Sequence, residues 1–137
     1  MAVVLDTSAL VELERSLDGD SPPDFGVDDE VVIPAIVWAE ALVGARLADS
    51  PIRAARRRAH LEVIRQATEI VTFTPEIAEH YADIFAELSE TGSMIPQNDI
   101  AVAATCRSLR CCVLVGPRDE DHFRRVRNLG VLVISCR

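Results

Sequence analysis

Apolar residues arrive in short runs separated by longer stretches with helical spacing. The runs at residues 2–5, 31–33, 69–73, 112–115 and 131–134 are brief and largely apolar. Strands buried on both faces look like this, because neither side needs polar residues for solvent. After the first run, Thr7 or Ser8 can cap a helix reaching about Leu17, with Leu10, Leu13 and Leu17 on one face. Residues 18–29 carry Gly19, Pro22, Pro23 and Gly26 and read as a loop. Pro34 suits the first turn of a helix with Ile36, Glu40, Val43 and Leu47 on one side. Pro51 opens an arginine-rich helix to about Thr68. Pro75 opens another, with Ile77, Tyr81, Ile84, Phe85 and Leu88 at helical spacing and Thr91-Gly92-Ser93 as its stop. Pro96 precedes a last helix at about 98–109. Short apolar strands alternating with helices predict an α/β chain, a three-layer α/β/α domain with a mostly parallel five-stranded sheet.

The 137 residues fit one domain spanning 1–137, and 49% hydrophobic with 26% charged residues is an ordinary globular balance. No apolar run approaches the roughly 18 residues of a membrane span. The start lacks a basic segment and meets Asp6 early, unlike a signal peptide. The expectation is a cytoplasmic protein without membrane contact.

A net charge of −8 disfavours polyanion binding. However, all 14 basic residues are arginine, and Arg46, Arg53, Arg56, Arg57, Arg58 and Arg65 cluster. They form either a local phosphate-binding patch or a solvated helix face. Cys106, Cys111, Cys112 and Cys136 form no CxxC pair and read as small reduced core residues. Adjacent Cys111 and Cys112 should point to opposite faces of a strand.

In an open parallel sheet, sites form beyond the carboxyl ends of the strands. Asp6 follows the first strand directly; alone, it reads first as a helix N-cap or first-turn acid. Glu40 lies among apolar neighbours on the expected core side of its helix, where an unpaired carboxylate is costly. Asp99 opens the last helix, as a first-turn acid would. Asp119, Glu120 and Asp121 follow the fourth strand, where they form either a solvated turn or part of a site. The fold brings these acids toward one edge, and a hard cation relieves their repulsion. His60, His80 and His122 are scattered and read as ordinary residues.

At these residues the chain resembles the PIN-domain family, and within it the VapC-type toxins. Val4-Leu5-Asp6-Thr7-Ser8-Ala9-Leu10 matches the first acidic motif, and Trp38-Ala39-Glu40 with Gly44 resembles the second. Pro96-Gln97-Asn98-Asp99-Ile100-Ala101-Val102-Ala103-Ala104 resembles the third, and the stretch from Asp119 through Phe123-Arg124-Arg125-Val126 the closing segment. The resemblance implies strand order 3-2-1-4-5, a Mg²⁺ or Mn²⁺ site, RNA cleavage, a homodimer and a cognate antitoxin. One departure is Gly116-Pro117, where the family commonly has Thr or Ser. The family's usual acid falls at Glu120, flanked by Asp119 and Asp121; the shorter Asp119 and Asp121 are favoured for the fourth role.

The implied reaction is hydrolysis of an RNA phosphodiester, the toxin activity of a type II toxin–antitoxin pair. Asp6, Glu40 and Asp99 would hold one metal ion, supported by Asp119 and Asp121. Glu40 or Asp99 would take the proton of the attacking water. Thr7 or Ser8 would orient Asp6 or touch substrate. One rival is phosphotransfer through an aspartyl phosphate, which wants a lysine that this chain lacks. Another is a non-catalytic PIN-like module that binds nucleic acid or protein.

Overall fold

Five strands assemble into one sheet, all parallel. The computed structural model describes residues 2–17 and 23–134. In chain order the elements are β1 (Ala2–Leu5), α1 (Thr7–Ser16), β2 (Glu30–Pro34), α2 (Ala35–Arg46), α3 (Pro51–Gln66), β3 (Glu69–Val71), α4 (Pro75–Thr91), α5 (Gln97–Leu109), β4 (Cys112–Val115), α6 (Glu120–Arg124) and β5 (Val131–Val133). Part of the expected loop at 18–29, together with Cys136, lies outside the described residues. Among the described residues, no helix is long and apolar enough to cross a membrane.

Val4 pairs with Val32 on one side and Val113 on the other, and all three are buried. The central strands thus hold apolar side chains against helices on both faces, each worth roughly 1.5–3 kcal/mol of burial. From β1 the chain winds outward to β2 and β3, then returns to β4 beside β1 and continues to β5. The winding direction reverses between β1 and β4, so a crevice opens beyond their carboxyl ends. Asp6 and Gly116 are the residues that leave those two strands.

Most elements fall where the spacing puts them, with four differences. The core face of α2 is Val37, Ala41 and Ala45; the Val43 and Leu47 side faces outward, at 53% and 79% exposure. Small residues against α3 and the sheet permit close approach, whereas the bulkier side chains are left outside. On α4, Ile77, Ile84 and Leu88 are buried, but Phe85 is exposed, and β3 stops at Val71 with Phe73 exposed. The acidic stretch after β4 folds into α6, anchored by fully buried Phe123.

Candidate functional site

Asp6 takes the cap role that its position offered and keeps one oxygen uncommitted. It is the N-cap of α1, with Oδ2 accepting from the Ser8 N–H at 3.1 Å and the Ser8 hydroxyl at 2.6 Å. Its Oδ1 is buried without a hydrogen-bond partner. Orphaned buried carboxylate oxygens are rare and call for a ligand or a proton. Burial, against the hydrogen bonds from Ser8 and with the nearby charge of Asp99, raises the Asp6 carboxyl from 3.8 to about 6.

Ser8 also accepts from the Gly116 N–H at 2.8 Å. A Cβ on Gly116 would stand 3.0 Å from the Ser8 carbonyl oxygen, so a side chain here would push the two segments apart by a few tenths of an ångström. The departure at Gly116 is therefore a backbone clasp between the ends of β1 and β4.

Asp99 sits in the first turn of α5, largely buried, where the helix dipole favours its charge. Its Oδ2 lies 2.8 Å from His122 Nδ1. Burial raises the Asp99 carboxyl above its ordinary range; the His122 hydrogen bond opposes this, and Asp119 and Glu40 add repulsion. Carboxylate oxygens of Asp6, Asp99 and Asp119 lie within 4.8 Å of one another, close enough to share one cation. The donors are all hard oxygens, suited to Mg²⁺ or Mn²⁺.

Glu40 stands at the rim, half-buried, with Oε1 accepting from the Thr7 hydroxyl at 3.2 Å. It is thus not on the core face of α2 as its neighbours suggest. Asp121 is not brought to the cluster: its side chain is 75% exposed and its Oδ2 lies 2.6 Å from Arg125. Glu120 pairs instead with Arg124. One helical turn separates Asp119 from His122, so α6 turns His122 inward and Asp121 outward. His122 is the residue that sequence reasoning missed; its place three residues after Asp119 is the signal that a helix there would have supplied.

Beside the acids lies a cavity of about 250 Å³, lined by Thr7, Ser8, Arg15, Gly116, Arg118 and Asp119 among others. The arginines of α3 are elsewhere. Arg53 pairs with Asp49, and Arg57 pairs with largely buried Glu14 and packs against Gly44.

A family model described as PIN domain matches residues 3–129. Ribonuclease VapC2 of Haemophilus influenzae is 34% identical over 79 residues. That match spans 58% of this chain and only 58% of the relative's own length. In three dimensions the chain resembles a chain of VapBC2 from Rickettsia felis, solved bound to a promoter DNA fragment. The TM-score is 0.83 at 19% identity, covering 98% of this chain and 100% of that one. A chain of VapBC-5 from Mycobacterium tuberculosis gives a TM-score of 0.73 at 25% identity, with 97% of each covered.

Proposed function

The chain belongs to the PIN-domain family, and from that premise we propose that it is a metal-dependent endoribonuclease, the toxin of a toxin–antitoxin pair. The observation that carries the reading is the buried, unpartnered Oδ1 of Asp6 beside Asp99 and Asp119. Asp6, Asp99 and Asp119 would hold a Mg²⁺ or Mn²⁺ ion. Such a cation makes a water more acidic and neutralises charge developing on a phosphodiester. Ser8 fixes the rotamer of Asp6, and His122 fixes Asp99. Glu40, held by Thr7 at the solvent edge, takes the proton of the attacking water. Asp121 has no part in this arrangement. Arg15 and Arg118 receive RNA phosphates in the adjoining cavity, so the acidic net charge is offset where substrate lies.

The relatives named as ribonucleases and as toxin–antitoxin complexes support this reading. An antitoxin segment is accommodated by the outer side of α2 and α3. There a groove is lined by Leu42, Arg46 and Arg58, and Val43, Leu47 and Ile52 of the same segments are exposed. Homodimerisation fits the start of α4, where Phe73 just ahead of the helix and Tyr81 and Phe85 on it form an aromatic ladder with ring centroids 6.3 Å apart at each step and both phenylalanines exposed.

The deciding experiment incubates purified wild type and Asp6→Asn with a mixed RNA pool and Mg²⁺ or Mn²⁺. Wild type should fragment the RNA, and the variant should lose at least about a hundredfold in rate, the scale of removing one charged catalytic group. Equal cleavage would remove Asp6 from the reaction, and no cleavage by wild type would leave the protein as a non-catalytic binding module.

A further inference from the structure

A cavity of about 730 Å³ lies at the far end of α5 from Asp99. Cys106, Cys111, Cys112, Arg107, Arg110 and Arg127 line much of it. At this end α5 closes with Arg110 in the left-handed conformation, at φ 54° and ψ 50°. The Arg110 N–H donates to Arg107 O at 3.4 Å and the Cys111 N–H to Cys106 O at 3.0 Å. This pair of bonds is the Schellman closure, which folds the residue after the left-handed one back over the residue five positions earlier. The backbone itself therefore stacks Cys111 on Cys106. This places the Cys106 thiol where it can donate to the Cys111 sulfur.

We propose that Cys106 and Cys111 form a dithiol modification site, oxidised by exchange with a small, carboxylate-bearing disulfide that docks against Arg110 and Arg127. Cys106 is fully buried, whereas Cys111 is half-buried and opens on the cavity. Cys111 is thus the sulfur that a reagent reaches. The hydrogen bond from Cys106 holds its thiol below the ordinary range, and burial holds the Cys106 thiol well above it. The thiolate is the nucleophile in such exchange. Cys112, the next residue, begins β4 and seats its sulfur under Gly130, where a Cβ would stand 2.5 Å away. Arg107 is already engaged by Glu87, the cavity's acidic residue, but Arg110 and Arg127 make no ion pair among the described residues. They leave the cavity net positive.

In the first step the Cys111 thiolate attacks one sulfur of the small disulfide. A Cys111 mixed disulfide forms, the small S–S bond breaks, and one thiolate leaves to take a solvent proton. In the second step Cys106 loses its proton to solvent and attacks the Cys111 sulfur, releasing the second small thiol. Two electrons pass from the cysteine pair to the small disulfide, which leaves as two thiols.

The test incubates the reduced, full chain with oxidised glutathione and follows intact mass and peptide maps. Wild type should yield a Cys106–Cys111 disulfide. Cys106→Ala should stop at one glutathione on Cys111, and Cys111→Ser should leave Cys106 unmodified while folded. Replacing Arg110 and Arg127 with Ala should slow the glutathione reaction about threefold or more, the scale of losing exposed charge pairs, and spare that with neutral hydroxyethyl disulfide. Asp119→Asn, which removes a member of the acid cluster whose charge does not act on either cysteine, should oxidise like wild type, which separates this site from the acid cluster. First modification at Cys112 or Cys136, with the Cys106–Cys111 pair left reduced, would overturn the proposal. So would equal slowing with both reagents.

Discussion

The Ser8 hydroxyl lies 2.6 Å from Asp6 Oδ2 and at the same time accepts the Gly116 N–H. One small side chain thereby joins the ends of β1 and β4 and turns the other Asp6 oxygen toward Asp99 and Asp119. The clasp belongs to folding as much as to the site, because it satisfies a backbone donor at the crevice where the winding of the sheet reverses.

Ser8→Ala removes both contacts at once. The loss should be about 1–3 kcal/mol in urea unfolding, the usual result of leaving buried polar groups unpaired. The Asp6 carboxyl should also rise further, since the Ser8 hydrogen bond lowers it. An unchanged unfolding midpoint would mean that water replaces the hydroxyl.

The raised Asp6 carboxyl fixes the sign of a pH effect. Its folded value of about 6 exceeds the ordinary 3.8, so between those values the folded chain binds more protons than the unfolded chain. Stability in a chelator should therefore fall as pH rises through this window, by about 1 kcal/mol from pH 5 to pH 7 for this group. Asp99 is shifted in the same direction and adds to the trend. Asp6→Asn should flatten the profile and be no less stable than wild type at neutral pH. Stability that rises with pH in wild type, in urea melts across this range, would contradict the assignment.

Divalent cation should reverse that penalty by binding the native state alone. Millimolar Mn²⁺ or Mg²⁺ should raise the melting temperature of wild type. Asp119→Asn should weaken the response, whereas Asp121→Asn should not, since Asp121 is engaged with Arg125. An equal loss in both variants would move Asp121 back into the cation site.

The arginines divide by what they touch. Arg57→Ala should destabilise by about 1–3 kcal/mol, because it strands the largely buried Glu14 carboxylate. Arg56→Ala, at an exposed position, should stay within about 0.5 kcal/mol. For RNA, Arg15→Ala with Arg118→Ala should weaken binding and flatten its salt dependence more than Arg56→Ala does, as filter binding across a salt series will show.

Periodicity alone determined the layered α/β architecture. Apolar runs too short for helices, spaced by segments of 3.6-residue period, admit few other arrangements. It also marked Asp6 and Asp99, since strand ends and helix starts are legible in local residue choice. Local pattern could not tell which face of α2 was inward, because every position there except Glu40 and Arg46 is apolar or small and packing against α3 chose Val37, Ala41 and Ala45. Nor could it separate Asp119 from Asp121. They are two residues apart in a stretch that reads as a turn, and only the one-turn helix α6, pinned by Phe123, sends Asp119 and His122 inward and Asp121 to Arg125. Likewise Gly116 reads as a departure until Ser8, 108 residues away in the chain, is seen against it. Contacts between distant segments carry no signature in either segment alone, so the tertiary structure decided them.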